Sequence, residues 1–553
     1  MSTDENNLIF FFNLAIKNHR ENKLKDAEKF YNKALEVNST HFDSNFYLGS
    51  LYAQLKNFIK SKELLKKAIK IQPKHALSHS NLGAVLKEMG NFEEAAEACK
   101  SAVKIEPNNV VALGNLGAIL KEIGNFEEAA KACKSAIKIE PNNVVALTNF
   151  ALVLIELGKI IEAINCYKKL NNIKSNSLKY YKKLGELNIV LGKKKEAIKF
   201  YKLAIKHESD DFSNYWHLSS LDNTILNENL KNYVNKTIVE NKNNKNHAFA
   251  NFLLSKYEFN TKNYEAEFSY LLKGHSSFLA TEKKKYRNDV EYWLDILPNS
   301  SELRDLKVEI KKKNYQYLKP IFIVGVPRCG STLVEKIIAS GPQKVITGEE
   351  IGVLSIFVKK KVIKKESMFI DDVILKTEII EKYKQKKIIE DNNKCVFTDK
   401  TLDNFFYIEL IKELFPNAKI INCKRSPLSS IMSILKNNLP AIPWAHNIKN
   451  IFKYFDIYNK KIQYFEKAHP GFIYSMDYEK LVTEPENESK KLMEFCNLSW
   501  DPKCLEFYKR EDLISKTASN IQVKKAIYKD SQKKYLPYEF FLNTHGVKYS
   551  WYN

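Results

Sequence analysis

The sequence predicts two fold classes in one chain: an all-α solenoid of paired helices over the first half, then an α/β domain built on a central parallel sheet. Three observations predict it. Landmark residues recur every 34 positions from Ala34 to Ala204. An apolar run at 321–324 breaks at Gly325 into a short loop, and apolar residues return at helical spacing from Ser331. Beyond that loop, short apolar runs alternate with amphipathic stretches as far as Cys496, the pattern of strands and crossover helices. With 553 residues the chain is long enough for at least two cores.

The repeat comes first in the chain. Pro73, Pro107 and Pro141 are spaced by 34, and Gly49, Gly83, Gly117 and Gly185 keep that period, with Ala151 at the missing step. Ala34, Ala68, Ala102, Ala136 and Ala204 mark a second face. Two neighbouring units are almost copies: NLGAVLKEMGNFEEAAEACKSAVKIEPN from Asn81 and NLGAILKEIGNFEEAAKACKSAIKIEPN from Asn115. In each, apolar residues fall at helical spacing on both sides of a Gly-Asn turn, giving two antiparallel helices with small residues where they approach. This resembles the tetratricopeptide repeat, in about eight units from Asn7 to Gly274, the last two degenerate. One unit cannot bury its apolar face alone, so the units stack into a solenoid. The resemblance implies a concave surface that holds a protein or peptide. The Glu93-Glu94 and Glu127-Glu128 pairs read as repeated surface charges. The expected domains are 1–278 for the solenoid, 279–318 for a helical linker and cap, and 319–553 for the α/β domain.

The α/β half opens with KPIFIVGVPRCGSTLVEKIIASGPQKVITGEE, residues 319–350. Strand, tight loop and helix in that order leave backbone N–H groups facing the loop, and the positive end of the helix dipole adds to them, so a phosphate or sulfate is well held. Gly325 to Thr332 is G-x-x-x-x-G-S-T, a phosphate loop whose usual Lys has become Ser331. That loss argues against an ATP-using, kinase-like protein; the positive charge sits instead at Arg328. Next come a long charged helical region over 351–389, a strand at 395–398 ending at Asp399-Lys400, and a helix over 403–414. A strand at 418–423 runs into Lys424-Arg425-Ser426-Pro427 and a helix over 428–435; a strand at 472–476 and a helix over 485–496 follow. Ligands of parallel sheets sit at the carboxyl ends of the strands. Arg328, Lys400 and Arg425 all lie there and can converge on one anionic ligand.

The net charge is +23, but of 88 basic residues only six are Arg, in a chain rich in Lys, Asn, Ile and Tyr throughout. Most of the charge therefore reads as solvated surface rather than a nucleic-acid or membrane footprint; the run KKKVIKK from Lys359 is taken as a helix face. Arg is the residue suited to bidentate phosphate contacts, and two of the six sit in strand-to-helix loops. The eight Cys include no CxxC pair, which suggests neither a zinc site nor a disulfide framework but a reducing compartment. The apolar run at 8–12 is too short for a signal core and no stretch reaches membrane length. The expectation is a cytoplasmic protein with no membrane span and no nucleic-acid partner.

Taken together, these segments resemble the sulfotransferases that use 3′-phosphoadenosine 5′-phosphosulfate (PAPS), particularly repeat-fused bacterial members and the protein-tyrosine sulfotransferases. The resemblance covers about residues 319–535. PIFIVGVPRCGSTLVE is similar to the family's 5′-phosphosulfate loop, KIINCKRSPLSSIMSI to its 3′-phosphate segment, and TASNIQVKKAIYKDSQKKY to the terminal loop that closes over the cofactor. It implies that Arg328, Cys329, Gly330, Ser331 and Thr332 cradle the 5′-phosphosulfate, that Arg425 and Ser433 hold the 3′-phosphate, and that Tyr478, Ser519 and Lys534 contribute from later segments. Lys400 matches the residue that balances charge on the bridging oxygen. The base maps to Glu350 by the G-E-E stretch of the protein-tyrosine enzymes and to Glu349 by the single G-E of bacterial members; both stay open. No metal is expected, since Lys and Arg supply the charge. Cys329, Ser331, Ser426 and Lys534-Tyr535 depart from the family's usual residues. The implied reaction is sulfuryl transfer to a hydroxyl, with protein tyrosine as first choice of acceptor and a carbohydrate or small alcohol as second. A repeat scaffold with an inactive sulfotransferase-like domain is the non-enzyme alternative. The oligomeric state is left open.

Overall fold

The computed structural model describes residues 3–173, 178–240, 244–281, 283–311, 315, 317–389, 395–510, 512–513, 522–527 and 534–552. The chain forms two compact units, Met1–Leu184 and Gly185–Asn553.

The first unit is built of antiparallel helix pairs. Thr3–Arg20 packs on Leu24–Val37, Phe42–Gln54 on Phe58–Ile71, Ala76–Glu88 on Phe92–Ile105, Val110–Ile123 on Phe126–Ile139, and Val144–Glu156 on Ile160–Ile173. The repeated glycines have a steric reason. A Cβ on Gly83 or Gly117 would collide with the Sγ of Cys99 or Cys133 on the paired helix, and both thiols are fully buried. Helix starts are fixed by Asn side chains: Asn109 and Asn143 accept from the N–H of Ala112 and Ala146, each at 2.9 Å. Gly124 ends its helix in the left-handed region at φ +89°. Successive repeats are tied by Asn81 donating to Ser50 at 3.1 Å and Asn115 to Ser80 at 3.2 Å.

The second unit begins with the later repeats and continues into a parallel sheet. Helices Lys194–His207, Phe212–Ser219, Asn244–Asn260 and Tyr264–Thr281 lead to strands β1 (Lys307–Glu309), β2 (Leu318–Gly325), β3 (Phe369–Asp371), β4 (Cys395–Asp399), β5 (Lys419–Lys424) and β6 (Ile473–Asp477). The main sheet has the order β4-β2-β5-β6, parallel throughout, and β1 pairs with β3 in a separate parallel ribbon. The chain leaves β2 for β4 on one side and then crosses to β5 on the other, so a crevice opens beyond the carboxyl end of β2. Helix Tyr264–Thr281 buries Phe268, Leu271 and Phe278 in the same core as Phe322, Ile323 and Ile421 of the sheet. That shared core is why the compact boundary falls inside the repeat array rather than where the sequence changes character.

Polar contacts reinforce the seam. Buried Glu267 takes hydrogen bonds from Tyr538 at 2.5 Å and pairs with Lys436 at 3.0 Å. His275 and His446 meet through their Nδ1 atoms at 2.9 Å, each with Nε2 on a backbone carbonyl. Burial pushes the two imidazoles down, to about 4 and about 3.

Two stretches differ from the sequence reading. The region over 351–389 is not one helical stretch: helix Val353–Lys364 stops at Lys365, which adopts φ +52°, and β3 follows before helical structure resumes at Asp372. A 21-residue helix, Ile448–Ala468, fills a segment for which the sequence reading proposed no element.

Candidate active site

All four strands of the main sheet deliver a side chain to the crevice just beyond their carboxyl ends: Arg328 after β2, Lys400 after β4, Arg425 after β5 and Tyr478 after β6. The loop after β2 needs unusual backbone. Gly325, Arg328 and Gly330 have φ of +155°, +70° and +99°, and helix Ser331–Ala339 starts immediately after Gly330. A Cβ on Gly330 would run into the ring of Tyr478, so glycine is required there twice over, by conformation and by contact.

Two of the expected phosphate-holding segments are joined directly. Arg328 Nε donates to Ser433 Oγ at 3.0 Å, Arg425 Nη1 donates to the carbonyl of Arg328 at 2.8 Å, and the Arg425 guanidinium lies 4.7 Å from the centroid of the Tyr478 ring. Ser426, where the family commonly has Asp, starts helix Pro427–Leu435 with its hydroxyl, and its N–H donates to Glu479 at 3.2 Å. Within the loop, the N–H of Cys329 donates to Val326 O at 3.2 Å, and its buried thiol accepts from Cys423, which holds it below its ordinary value and pushes Cys423 up. Its role is to pack the loop against β5.

The loop 346–350 is stitched to β4. Ile346 exchanges backbone hydrogen bonds with Val396 and Thr398, Gly348 N–H donates to Thr398 Oγ1 at 3.0 Å, and Lys400 N–H donates to Glu349 O at 2.8 Å. This separates the two candidate bases. Glu350, with its side chain 55% exposed, faces the crevice with Oε1 3.4 Å from Lys400 Nζ. Glu349, at φ +50°, lines neither of the two cavities beside the loop 325–332, and its carboxylate acts on Lys336 and Lys400. Lys400 itself is fully buried; burial alone would lower its pKa, but Glu335, Glu350 and Glu349 outweigh that and hold it above the ordinary lysine value.

The loop 325–332 is a wall between two cavities. One, of about 500 Å³, is lined by Arg328, Ser331, Thr332 and Glu350 together with Thr401, Asp403, Asn438 and the aromatic rings of Trp293, Trp444 and Tyr454. The other, of about 60 Å³, is lined by Arg328, Gly330, Thr332, Arg425, Tyr478, Val523 and Lys525. Trp293, Asp403, Asn438 and Trp444 were not found by sequence reasoning: they come from separate segments and form no motif. Burial pushes the Asp403 carboxyl up to about 6, and Ser355 donates to it at 2.7 Å. Lys534 is exposed and lines neither cavity; Ser519 lies outside the described residues. Among the described residues no group of three or more His, Cys, Asp or Glu is placed to hold a metal, and no helix is long and apolar enough to cross a membrane.

Comparison with known proteins bears on the two halves of the chain. Residues 320–502 match the model of the sulfotransferase family, and residues 42–75, 76–109, 110–143 and 132–165 match tetratricopeptide repeat models. The chain thus carries tetratricopeptide repeats in its first half and a sulfotransferase-family domain in its second. An uncharacterized protein of Aquifex aeolicus is 30% identical over 315 residues, 53% of this chain and 40% of that protein. Protein-tyrosine sulfotransferase A of Caenorhabditis elegans is 28% identical over 37% of this chain and 56% of its own length. Protein-tyrosine sulfotransferase 1 of Danio rerio is 26% identical over 35% and 57%. The chain therefore spans between 40% and 57% of the length of these relatives.

Proposed function

We propose that this chain, with a sulfotransferase-family domain following its tetratricopeptide repeats, is a PAPS-dependent sulfotransferase that acts on a hydroxyl acceptor. The observation that carries the reading is the loop 325–332 standing as a shared wall: Arg328 lines both cavities, Arg425 lines the smaller one, and Glu350, paired with the buried Lys400, lines the larger. The donor set fits PAPS. Cations and helix-terminal N–H groups lie where a 5′-phosphosulfate would meet the loop, and a second cation, Arg425, stacked on Tyr478, lies where a 3′-phosphate and its nucleoside would meet the smaller cavity.

PAPS supplies, when bound, a sulfuryl group carried on a phosphate that leaves readily. Arg328, Ser331 and Thr332 hold that end; Arg425 and Ser433 hold the 3′ end; Tyr478 and Lys525 flank the nucleoside. Glu350, facing the larger cavity, takes the proton of the acceptor hydroxyl. Lys400, buried beside Glu350, would supply positive charge for the oxygen that bridges phosphate and sulfuryl group.

The acceptor we assign is a tyrosine hydroxyl presented by a protein, with the repeats binding that protein. Its support is the aromatic lining of Trp293, Trp444 and Tyr454, which suits a phenol ring, and the names of two of the relatives. A carbohydrate or small alcohol is the second reading, favoured by Thr401, Asp403 and Asn438 in the same cavity. The cysteine pattern makes a reducing compartment, the cytoplasm, the setting we propose.

Titration calorimetry with 3′-phosphoadenosine 5′-phosphate tests the reading. Binding to wild type, lost by about 100-fold or more in Arg425→Ala, is expected from removal of a charge-assisted phosphate contact. Folded wild type that takes up no such ligand sinks it. Radiolabelled transfer from PAPS to tyrosine peptides and to oligosaccharides then decides between the acceptors.

A further inference from the structure

Helix Ser331–Ala339 buries an ion where a core helix has no evident need for one. Val334, Ile337 and Ile338 face the core as expected, but Glu335 is also fully buried and Lys336 nearly so. Burying a carboxylate is costly unless it is paired and hydrogen-bonded. Glu335 Oε1 accepts from Thr398 Oγ1 at 2.7 Å and from the backbone N–H of Glu349 at 3.0 Å. Thr398 in turn accepts from Gly348 N–H. Its Oε2 has no hydrogen-bond partner among the described residues; burial raises this carboxyl, and the positive charge of Lys400 opposes the rise.

We infer that Glu335 is a positioning residue for transfer: it holds the loop that presents Glu350 and serves as the buried counter-charge of Lys400. The inference rests on the reading of Glu350 and Lys400 as the base and the charge-balancing cation. The groups facing Lys400 are Glu335 from the helix and Glu349 and Glu350 from the loop, with Lys336 and the Cys423 thiol also in range. All three carboxylates raise Lys400 against its burial. Glu350 is more than half exposed, so water weakens its field, whereas Glu335 acts from within the protein. A second consequence concerns the loop. Glu349 sits at φ +50°, a conformation that a non-glycine residue holds only when its surroundings impose it, and the bond from its N–H to Glu335 is one of the constraints that impose it.

The test is Glu335→Gln in the full-length chain. Glutamine keeps an oxygen that can accept from Thr398 and Glu349 but removes the charge. The expected result is a folded protein with affinity for 3′-phosphoadenosine 5′-phosphate within about twofold of wild type, since the phosphate contacts are elsewhere. The alkaline limb of kcat against pH should move down by about one unit or more, as an ammonium loses a close counter-charge. Glu335→Asp, which keeps the charge but withdraws it by one methylene, should move the limb less in the same direction. A limb that stays in place in Glu335→Gln, with only a constant drop in kcat, reduces Glu335 to a packing role and overturns the inference. The Lys400 titration can also be followed without activity by 15N NMR of lysine Nζ, assigned by its loss in Lys400→Met. A wild type that transfers nothing thus refutes the functional reading alone, while an unshifted Lys400 resonance refutes this one. If Glu335→Gln does not fold, Glu335→Asp takes its place, and an unmoved Lys400 there also overturns the inference.

Discussion

Glu349 and Glu350 are adjacent in the chain and both act on buried Lys400, yet only Glu350 lines the larger cavity. Removing the carboxylate that faces the acceptor should therefore cost far more turnover. Glu350→Gln is expected to lose about 100-fold or more in kcat, the scale of general-base catalysis, and Glu349→Gln distinctly less; equal losses measured in steady-state assays would contradict the assignment. Asp403 offers a pH-dependent check. Its carboxyl is raised from 3.8 to about 6 by burial, so between those values the folded chain holds a proton that the unfolded chain has released. Stability then falls as pH rises from about 4 to 7, by up to about 3 kcal/mol from this group. Asp403→Asn should flatten that part of the stability curve in urea titrations at pH 4 and pH 7. Arg328, Lys400 and Arg425 were legible because each follows a short apolar run that announces a strand end. Asp403, Trp293 and Trp444 were not, since a cavity wall assembled from three distant segments leaves no local spacing to read. The part Cys329 plays in the loop's backbone geometry was legible from its place in the motif; the partner of its thiol was not, since Cys423 lies nearly a hundred residues away.

The helix pairs of the repeats depend on glycine and cysteine meeting at one contact. Gly117→Ala should cost about 1–3 kcal/mol by overpacking, because the new methyl group meets Cys133 Sγ and, at 3.3 Å, the carbonyl of Ala129. Adding Cys133→Ala should return part of that loss, since it removes the nearer obstacle; a double-mutant cycle in denaturant titrations that shows no coupling would refute the contact. These elements were readable from sequence because a 34-residue period repeats the evidence for each helix several times. Helix Ile448–Ala468 has no such help. Its buried face, Ile448, Ile451, Phe452, Phe455, Tyr458, Ile462 and Phe465, keeps helical spacing, but Asn, Lys and aromatic residues of middling helix propensity surround it. The break at Lys365 was hidden for the opposite reason, as charged residues on both sides of β3 continue a helix-like composition across a strand.

On the scale of the whole molecule, the parallel sheet and the last repeats are one folding body. Phe268, Leu271 and Phe278 pack in the core that contains β2 and β5, and Glu267 and His275 find partners on the sheet side in Tyr538, Lys436, His446 and Leu435. A fragment starting at residue 319, where the sulfotransferase-like sequence begins, would expose that apolar face and strand Lys436 without its carboxylate. It should be insoluble or molten, whereas a fragment spanning 185–553 should unfold cooperatively and bind 3′-phosphoadenosine 5′-phosphate as the full chain does; calorimetric scans and ligand titration of the two fragments check this. The steric fit between Tyr264–Thr281 and the sheet also bears on how such chains diversify. On the proposed reading, the repeats before Gly185 are exchangeable without disturbing the transfer site, whereas the last repeats are inherited with that site because they share its core.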